Sequence, residues 1–247
     1  IEYALMITAS HNDKNDNGIK LFGHNHLHLD QNELKKLYNY IKERKEITGR
    51  GTLTKININN DYANMLINKF GKINKKVIID CGNGTASTIV KDIYSKVFNN
   101  VSYINSISDG SFPIHNPDPN VSSNLKWLID EVKLRKFDLG IAFDGDADRV
   151  GIVDNKGNII STDYLIAIFS KEIIKNNKNK NIIIDIKCSK AVEHEIKKQG
   201  GNPVTVKNGS AYIETVCHDY PANLGGEYSG HIFFRDTYYG FDDGLYA

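Results

Sequence analysis

The sequence predicts an α/β fold built from successive mixed domains, each with a sheet flanked by helices. The chain has 247 residues, which exceeds the roughly 150 residues of an average domain and favours more than one. From Lys76 onward, short apolar strands alternate with helices, and the alternation restarts after a predicted hairpin that ends at residue 160. Such alternation predicts mostly parallel sheets that bind ligands beyond the carboxyl ends of their strands.

The composition is that of a globular protein, with 40% hydrophobic and 25% charged residues. Lysine plus arginine (31) almost balances aspartate plus glutamate (30), so we expect no nucleic-acid partner. No apolar run approaches the roughly 18 residues of a membrane span, and we expect no membrane partner. The scattered cysteines Cys81, Cys188 and Cys217 fit buried thiols in a reducing, cytoplasmic compartment.

The first third of the chain predicts one strand and two helices. An apolar strand at 3–7 runs directly into a polar turn. Asp30 and Glu33 form a capping-box pattern ahead of apolar residues at helical spacing, which predicts a helix over 31–46. A second helix is predicted over 62–70, with Asp61 as its N-cap, and we expect it to link two lobes.

The rest of the chain predicts two α/β units joined by a hairpin. The first unit has predicted strands at 77–80, 101–104 and 138–143 and helices at 86–97 and 122–135. The hairpin strands are predicted at 150–154 and 159–160. The second unit has predicted helices at 163–175, 190–199 and 210–217, strands at 182–186 and 203–206, and an extended segment at 223–234.

A serine follows the first predicted strand, in the segment Thr8-Ala-Ser10-His11-Asn12. Flanked by small residues, it is exposed enough to act as a nucleophile or a phosphate carrier, and the adjacent histidine and Lys20 can neutralise phosphate charge or move a proton. The same residue types also form ordinary turns, because their side chains bond to the local backbone. Both interpretations remain open on these residues alone.

Three carboxylates follow the predicted strand 138–143, at Asp144, Asp146 and Asp148, with Arg149 directly after them. Like charges this close repel one another unless a cation lies between them, and hard oxygen ligands favour Mg²⁺. A calcium EF-hand loop does not fit, since it needs glycine where Arg149 stands, and a phosphohydrolase pattern of Asp-x-Asp-x-Thr is broken by Asp148. A plain acidic turn remains the alternative to a metal and phosphate site.

A glycine-rich segment, 225–231, presents Glu227, Ser229 and His231 at alternate positions. In an extended segment residues two apart point the same way, so the three side chains are expected to converge on one ligand, such as a sugar with vicinal hydroxyls. A structural turn is the alternative. The rigid, proline-rich loop 109–119 indicates either a shaped binding or interdomain surface or loop architecture alone. Cys81-Gly-Asn-Gly84 follows a strand as a phosphate loop would, but it matches no full nucleotide-binding pattern, which favours tight strand-to-helix packing.

Taken together and in this order, TASHN at 8–12, DGDADR at 144–149 and GGEYSGH at 225–231 resemble the phosphoserine, magnesium and sugar-recognition loops of the α-D-phosphohexomutase family. The segments 109–119 and 225–234 are more similar to the phosphomannomutase/phosphoglucomutase branch than to phosphoglucosamine mutases. The resemblance implies interconversion of hexose 6-phosphate and hexose 1-phosphate, of mannose or glucose, through a phosphoserine and a hexose 1,6-bisphosphate. A phosphoglucosamine mutase and a non-catalytic fragment or degenerate homologue are the alternatives.

The resemblance also implies a role for each matching residue. Ser10 carries the phosphoryl group and, with Asp144, Asp146 and Asp148, holds Mg²⁺, while Arg149 and His11 steady the phosphate. Lys20 and His231 transfer protons, and Glu227, Ser229, His231 and Lys207 bind the sugar phosphate. Glucose 1,6-bisphosphate or mannose 1,6-bisphosphate is the implied activator, and the implied partner is a hexose phosphate; the oligomeric state is left open.

Departures from the family pattern concern two loops and the extent of the chain. Asp13 stands where the family commonly has proline, and Ser210 where some members have histidine. By the resemblance the chain is truncated at both ends: residues 1–54 are the C-terminal part of domain 1, 55–158 are domain 2, 159–247 are most of domain 3, and domain 4 is absent.

Overall fold

The computed structural model describes residues 2–23, 26–44 and 48–247. It begins with two antiparallel strands, β1 (Ala4–Ile7) and β2 (Ile19–Phe22), in which Met6 lies opposite Lys20. Strand β2 is too short to stand out by alternation, and the sequence did not predict it. Gly18 at its start is required by close packing, since a Cβ there would lie 2.4 Å from the carbonyl oxygen of Thr8.

Helix α1 (Gln31–Lys42) follows, and its predicted capping box is confirmed. Asp30 Oδ1 accepts a hydrogen bond from the Glu33 N–H (2.8 Å), and Glu33 Oε2 accepts one from the Asp30 N–H (2.9 Å). The helix ends at Lys42 and is therefore shorter than predicted; residues 45 and 46 of the predicted range lie outside the described residues.

Helix α2 (Asn59–Phe70) starts three residues earlier than predicted. Asp61 is therefore not the N-cap but lies in the first turn, where its charge favours the helix dipole. The backbone N–H of Asn59 donates instead to Oδ1 of Asn57, which shapes the entry to the helix (2.9 Å). Gly71 follows the last residue of the helix with a φ of +62°, a left-handed value that glycine adopts without steric cost and that is common at helix ends.

The second unit is a five-stranded sheet with helices against it. Its order is β4-β3-β5-β6-β7, in which β3 pairs in parallel with β4 and β5, and the hairpin strands β6 and β7 are antiparallel. The elements are β3 (Ile73–Asp80), α3 (Val90–Val97), β4 (Phe98–Ile104), α4 (Lys126–Arg135), β5 (Leu139–Phe143), β6 (Val150–Asp154) and β7 (Ile159–Ile160). Short 3₁₀ turns at 85–88 and 122–125 occupy the start of both predicted helices, as is common at helix N-termini.

The third unit repeats the arrangement with four strands in the order β11-β10-β8-β9. Its elements are α5 (Thr162–Asn176), β8 (Asn181–Asp185), α6 (Lys190–Lys198), β9 (Asn202–Val206), α7 (Ser210–Asp219), β10 (Leu224–Gly226) and β11 (Ile232–Phe234). The predicted extended segment 223–234 is thus two short antiparallel strands, with a turn between them that carries Glu227 and Ser229.

Buried aliphatic side chains fill the space between the sheets of the second and third units and their helices, and one large cluster joins these two units. Tyr62 of α2 reaches across this junction, and its hydroxyl donates to both carboxylate oxygens of buried Asp243 (3.0 and 2.8 Å). Within residues 2–23, 26–44 and 48–247, none of the helices has the length and apolar character that crossing a membrane requires. The second and third units therefore share a packed interface, and the described residues of the first unit contact them through side-chain bonds such as that from Thr8 to Asp146.

Candidate active site

The acidic loop lies where parallel-sheet geometry predicts a ligand site, at the carboxyl end of β5. Asp144 is fully buried, and Asp148 is 9% exposed. Asp144, Asp146 and Asp148 each bring a carboxylate oxygen within 4.8 Å of the other two. The three predicted metal ligands thus form one compact group of oxygens.

Burial and mutual repulsion set the charge of this group. Burial, together with the neighbouring Asp148 and Asp146, raises the pKa of Asp144 well above its usual range. Burial alone would also raise the pKa of Asp148, but His231 and Lys20 outweigh it and hold that pKa below its usual value. A divalent cation among the three carboxylates would relieve the repulsion that perturbs Asp144.

Two buried carboxylate oxygens fit a metal better than they fit the protein around them. Oδ1 of Asp146 and Oδ1 of Asp148 have no hydrogen-bond partner among the described residues, although buried polar atoms are normally paired. The Oγ of Ser10 lies 3.4 Å from Oδ2 of Asp144 and adds a fourth oxygen to the group. This all-oxygen set suits a hard cation such as Mg²⁺.

Ser10 occupies a tight turn that aims its side chain at the acidic loop. Its φ is +54°, an uncommon value for a residue other than glycine, and its N–H donates to Oγ1 of Thr8 (2.8 Å). Thr8 Oγ1 in turn donates to Oδ2 of Asp146 (2.9 Å). The serine turn is therefore fastened to the acidic loop across 138 residues of sequence.

His11 and Lys20 bring positive or polarisable groups to the same place. Nδ1 of His11 lies 3.1 Å from Ser10 Oγ, and burial together with Arg149 lowers the pKa of this histidine. Nζ of Lys20 donates to Oδ2 of Asp148 (2.5 Å) and lies 3.1 Å from Asp146 Oδ2. Burial would lower the pKa of Lys20, but these two carboxylates raise it above its ordinary value, so the ammonium stays charged at neutral pH.

Arg149 and His231 meet above the acidic loop. The Arg149 backbone N–H donates to Asp144 Oδ1 (3.1 Å), and its Nε donates to Nε2 of His231 (2.9 Å). On the other side of the imidazole, Nδ1 lies 2.6 Å from Oδ2 of Asp242. Burial would lower the pKa of His231, but Asp242 and Asp148 raise it overall.

The glycine-rich turn forms a second polar group beside His231. Ser229 Oγ donates to Glu227 Oε2 (2.5 Å), and that oxygen lies 3.8 Å from His231 Nε2. Glu227 Oε1 accepts from the Gly209 N–H (3.0 Å) and from the side-chain amide of Asn208. The three predicted sugar ligands do converge, but a turn brings them together and not the strand alternation that predicted it.

Lys207 is the one predicted site residue that stands apart from these groups. Its side chain is exposed, and its Nζ lies 4.1 Å from the centre of the Tyr212 ring. Ser210 lines a cleft of about 330 Å³ together with Ser10, His11, Lys20, Arg149 and His231.

Sequence analysis missed three residues that bond directly to predicted site residues: Thr8, Asn208 and Asp242. Thr8 belongs to the motif TASHN, and Asn208 directly follows Lys207, which the family resemblance had singled out. Asp242 lies in the acidic pair Asp242-Asp243 shortly after Gly240, and this pair was the only sequence feature that marked it as a candidate site residue.

The segments 81–86 and 109–119 lie beside the acidic loop within the second unit. The Thr85 N–H donates to the Gly145 carbonyl oxygen (2.9 Å), which agrees with the predicted packing role of the 81–86 segment. Nε2 of His115 lies 3.1 Å from Oδ2 of fully buried Asp80, and this contact anchors the proline-rich loop. Asn120, at the end of that loop, donates to the Ser229 carbonyl oxygen (2.5 Å).

Comparison with known families agrees with this geometry. Models described as phosphoglucomutase/phosphomannomutase α/β/α domains I, II and III match residues 1–48, 58–157 and 161–247. The chain belongs to the phosphoglucomutase/phosphomannomutase family. The matched segments follow one another in the family's order, and the residues of the candidate site are drawn from all three of them.

Individual members of the phosphoglucomutase/phosphomannomutase family show the same likeness. The chain is 38% identical over 244 residues to the phosphomannomutase/phosphoglucomutase of Pseudomonas syringae, covering 98% of this chain and 52% of that protein. It is 34% identical to the phosphomannomutase of Methanocaldococcus jannaschii, covering 96% of this chain and 54% of that protein. A crystal structure of a phosphoglucomutase/phosphomannomutase family protein from Burkholderia thailandensis superposes with a TM-score of 0.94 at 31% identity, covering 99% of this chain and 53% of that one. The chain thus spans about half the length of the relatives it matches.

Proposed function

We propose that the full-length protein is a phosphohexomutase that interconverts the 6- and 1-phosphates of mannose or glucose. The observation that best supports this proposal is the position of Ser10 Oγ, which lies 3.4 Å from Asp144 Oδ2 at the edge of the three-carboxylate group. The names of the relatives support mannose and glucose phosphates as substrates. By this proposal Ser10 carries a phosphoryl group and exchanges it with the sugar through a hexose 1,6-bisphosphate.

Asp144, Asp146, Asp148 and Ser10 are the proposed ligands of Mg²⁺. The two orphaned oxygens described above support this assignment. When bound, the cation supplies charge neutralisation for a phosphoryl group on the serine. The dominant contribution of such a site to phosphoryl transfer is positioning and electrostatic stabilisation.

The protein's own cations are proposed to steady the same phosphoryl group. Arg149 has a planar fork of donors that suits phosphate oxygens, and His11 already contacts Ser10 Oγ at 3.1 Å. In the transfer step, the bond between the serine oxygen and phosphorus breaks and a bond from a sugar hydroxyl to phosphorus forms. By this proposal the charged Lys20 donates a proton to the departing serine oxygen, and His231 accepts the proton of the sugar hydroxyl.

The sugar is proposed to bind through Glu227 and Ser229, with Lys207 reaching its phosphate. A carboxylate beside a hydroxyl suits two neighbouring sugar hydroxyls. Glu227 is 5% exposed and held by bonds from three partners, so its orientation is set before ligand arrives. The exposed position of Lys207 suits a group that closes onto ligand. The proposed domain limits are those of the sequence prediction, 1–54, 55–158 and 159–247.

The test is labelling of Ser10 in the full-length protein. Incubation with glucose 1,6-bisphosphate and Mg²⁺ is expected to add one phosphoryl group, which intact-mass measurement counts and peptide mapping assigns to Ser10. Ser10→Ala is expected to abolish the label, whereas Ser111→Ala, in an exposed loop, is expected to keep it. A wild-type protein that takes up no phosphate at Ser10 contradicts the proposal.

A coupled assay on the same protein identifies the sugar. Mannose, glucose and glucosamine 1-phosphates are compared at equal concentration, and we expect the first two to be turned over faster. Preference for glucosamine phosphate would place the protein in the other branch. Absence of turnover of all three would leave it a sugar-phosphate binding homologue.

A further inference from the structure

His231 lies in an asymmetric environment that treats its two ring nitrogens differently. Nδ1 lies 2.6 Å from Asp242 Oδ2, a charge contact that lacks hydrogen-bond geometry. Nε2 faces the Nε–H of Arg149 at 2.9 Å, which is closer than the Glu227 Oε2 at 3.8 Å. The ring is 3% exposed, so water does not compete strongly for either nitrogen.

Electrostatics assigns the proton. The negative charge of the Asp242 carboxylate beside Nδ1 repels a lone pair on that nitrogen and attracts an N–H there. A proton on Nε2 would face the N–H of Arg149, whereas a lone pair there accepts its hydrogen bond. Both sides of the ring therefore favour the tautomer with the proton on Nδ1 and the lone pair on Nε2.

The segment around Asp242 holds this carboxylate in place beside His231. Asp242 lies opposite Phe233 in an isolated antiparallel bridge, beside β11. Two residues later the Gly244 N–H donates to the Ala147 carbonyl oxygen (3.0 Å), and a Cβ at Gly244 would lie 2.6 Å from the Arg149 carbonyl oxygen. The segment that carries Asp242 is thus packed directly on the acidic loop.

We propose that Asp242 is a positioning residue that fixes His231 in its Nδ1–H tautomer, so that Nε2 offers a lone pair to a sugar hydroxyl. This inference rests on the proposed function. When Arg149 turns towards phosphate, Nε2 is released with its lone pair facing the cleft. The hydroxyl proton then passes to Nε2 as the oxygen bonds to phosphorus, and the resulting imidazolium is stabilised by the Asp242 carboxylate.

The first test is nuclear magnetic resonance of the full-length protein labelled with ¹⁵N-histidine. The His231 signals are assigned by their loss in His231→Gln, and the pH is raised until the imidazolium form is gone. We expect a pyrrole-type shift at Nδ1 and a pyridine-type shift at Nε2. The reverse pattern in the wild-type protein overturns the proposal, whether or not any variant folds.

The second test separates positioning from general stability. Asp242→Asn is expected to move the neutral ring towards the Nε2–H tautomer and to lower kcat on the order of 10²-fold, with KM little changed. Asp242→Glu keeps a carboxylate and is expected to restore part of both. Asp243→Asn is the matched control, since Asp243 bonds Tyr62 and Tyr238 instead of His231 and should lower stability without changing the tautomer.

The outcomes distinguish this proposal from the function on which it rests. An unchanged tautomer in Asp242→Asn, or an effect confined to KM, overturns the positioning role. A wild-type protein with no phosphorylation of Ser10 and no turnover overturns the proposed function. The tautomer measurement on the same protein still decides which ring nitrogen of His231 carries the proton.

Discussion

Replacing Gly145 by alanine is expected to push the serine turn away from the acidic loop. A Cβ at this position would lie 2.2 Å from the carbonyl oxygen of Ser10, whereas ordinary van der Waals contact begins at 3.4 Å. The two backbones must therefore separate by about 1.2 Å, the difference between these distances. The carbonyl belongs to the backbone of the proposed nucleophile, so Ser10 Oγ moves with it.

The magnitude follows from that displacement. Misplacing a reacting group by about 1 Å costs about 10²-fold in rate, which corresponds to about 2.7 kcal/mol of transition-state free energy. We expect Gly145→Ala to lower kcat/KM by about 10²-fold and to slow phosphorylation of Ser10 by glucose 1,6-bisphosphate. The global fold should persist, because the clash lies between two loops.

The assay is coupled mutase turnover of the full-length protein, with thermal unfolding recorded on the same samples. Gly110→Ala is the matched control, since a Cβ there meets nothing within 4 Å and it should behave as the wild type. A folded Gly145→Ala protein with wild-type turnover would refute the argument that contact between the serine turn and the acidic loop sets the geometry of transfer.

Three further predictions concern stability. Mg²⁺ at about 100 times its dissociation constant should stabilise the wild type by about 2.7 kcal/mol, and Asp144→Asn should lose most of this gain in thermal unfolding. The hydrogen bond to Asp80 raises the pKa of His115 above its value in the unfolded chain, so this contact stabilises the fold at low pH and the stabilisation is lost as pH rises through the folded pKa. In denaturant titrations, His115→Gln should therefore lose less unfolding free energy than the wild type between about pH 6 and 8. Tyr62→Phe leaves buried Asp243 without one donor and should cost about 1–3 kcal/mol of unfolding free energy, whereas Tyr3→Phe, at an exposed position, should cost nothing measurable.

Local sequence rules correctly located the acidic loop and the start of helix α1. Asp144 follows a five-residue buried strand, and the end of a parallel strand is where ligands bind, so its place was predictable. The capping box of Asp30 and Glu33 needs only four residues of sequence and is found as predicted. Asp61 misled because an acidic residue suits both an N-cap and a first turn, and only the backbone distinguishes them.

The glycine-rich turn shows the limit of a periodicity argument. Alternation along an extended segment predicted that Glu227, Ser229 and His231 would share a face. Their proximity was right, but the chain folds back over 227–230, and the Gly230 N–H donates to the Glu227 carbonyl oxygen (3.1 Å). Gly230 has a φ of +113°, a conformation that glycine adopts without steric cost. The glycine at this position was the sequence signal for a turn.

The contacts that give the site its electrostatics join residues far apart in sequence, and no local pattern encodes them. Lys20 and Asp148 are 128 residues apart, yet their contact sets the charge of both groups. The same holds for Arg149 of the second unit and His231 of the third, which are 82 residues apart and share a hydrogen bond. The residue types in each loop indicate the chemistry, because each loop supplies its own functional groups. Which of these groups contacts and orients another depends on how the three units are arranged. A perturbation at an interface, such as the one proposed at Gly145, therefore tests the site more directly than removal of any single ligand.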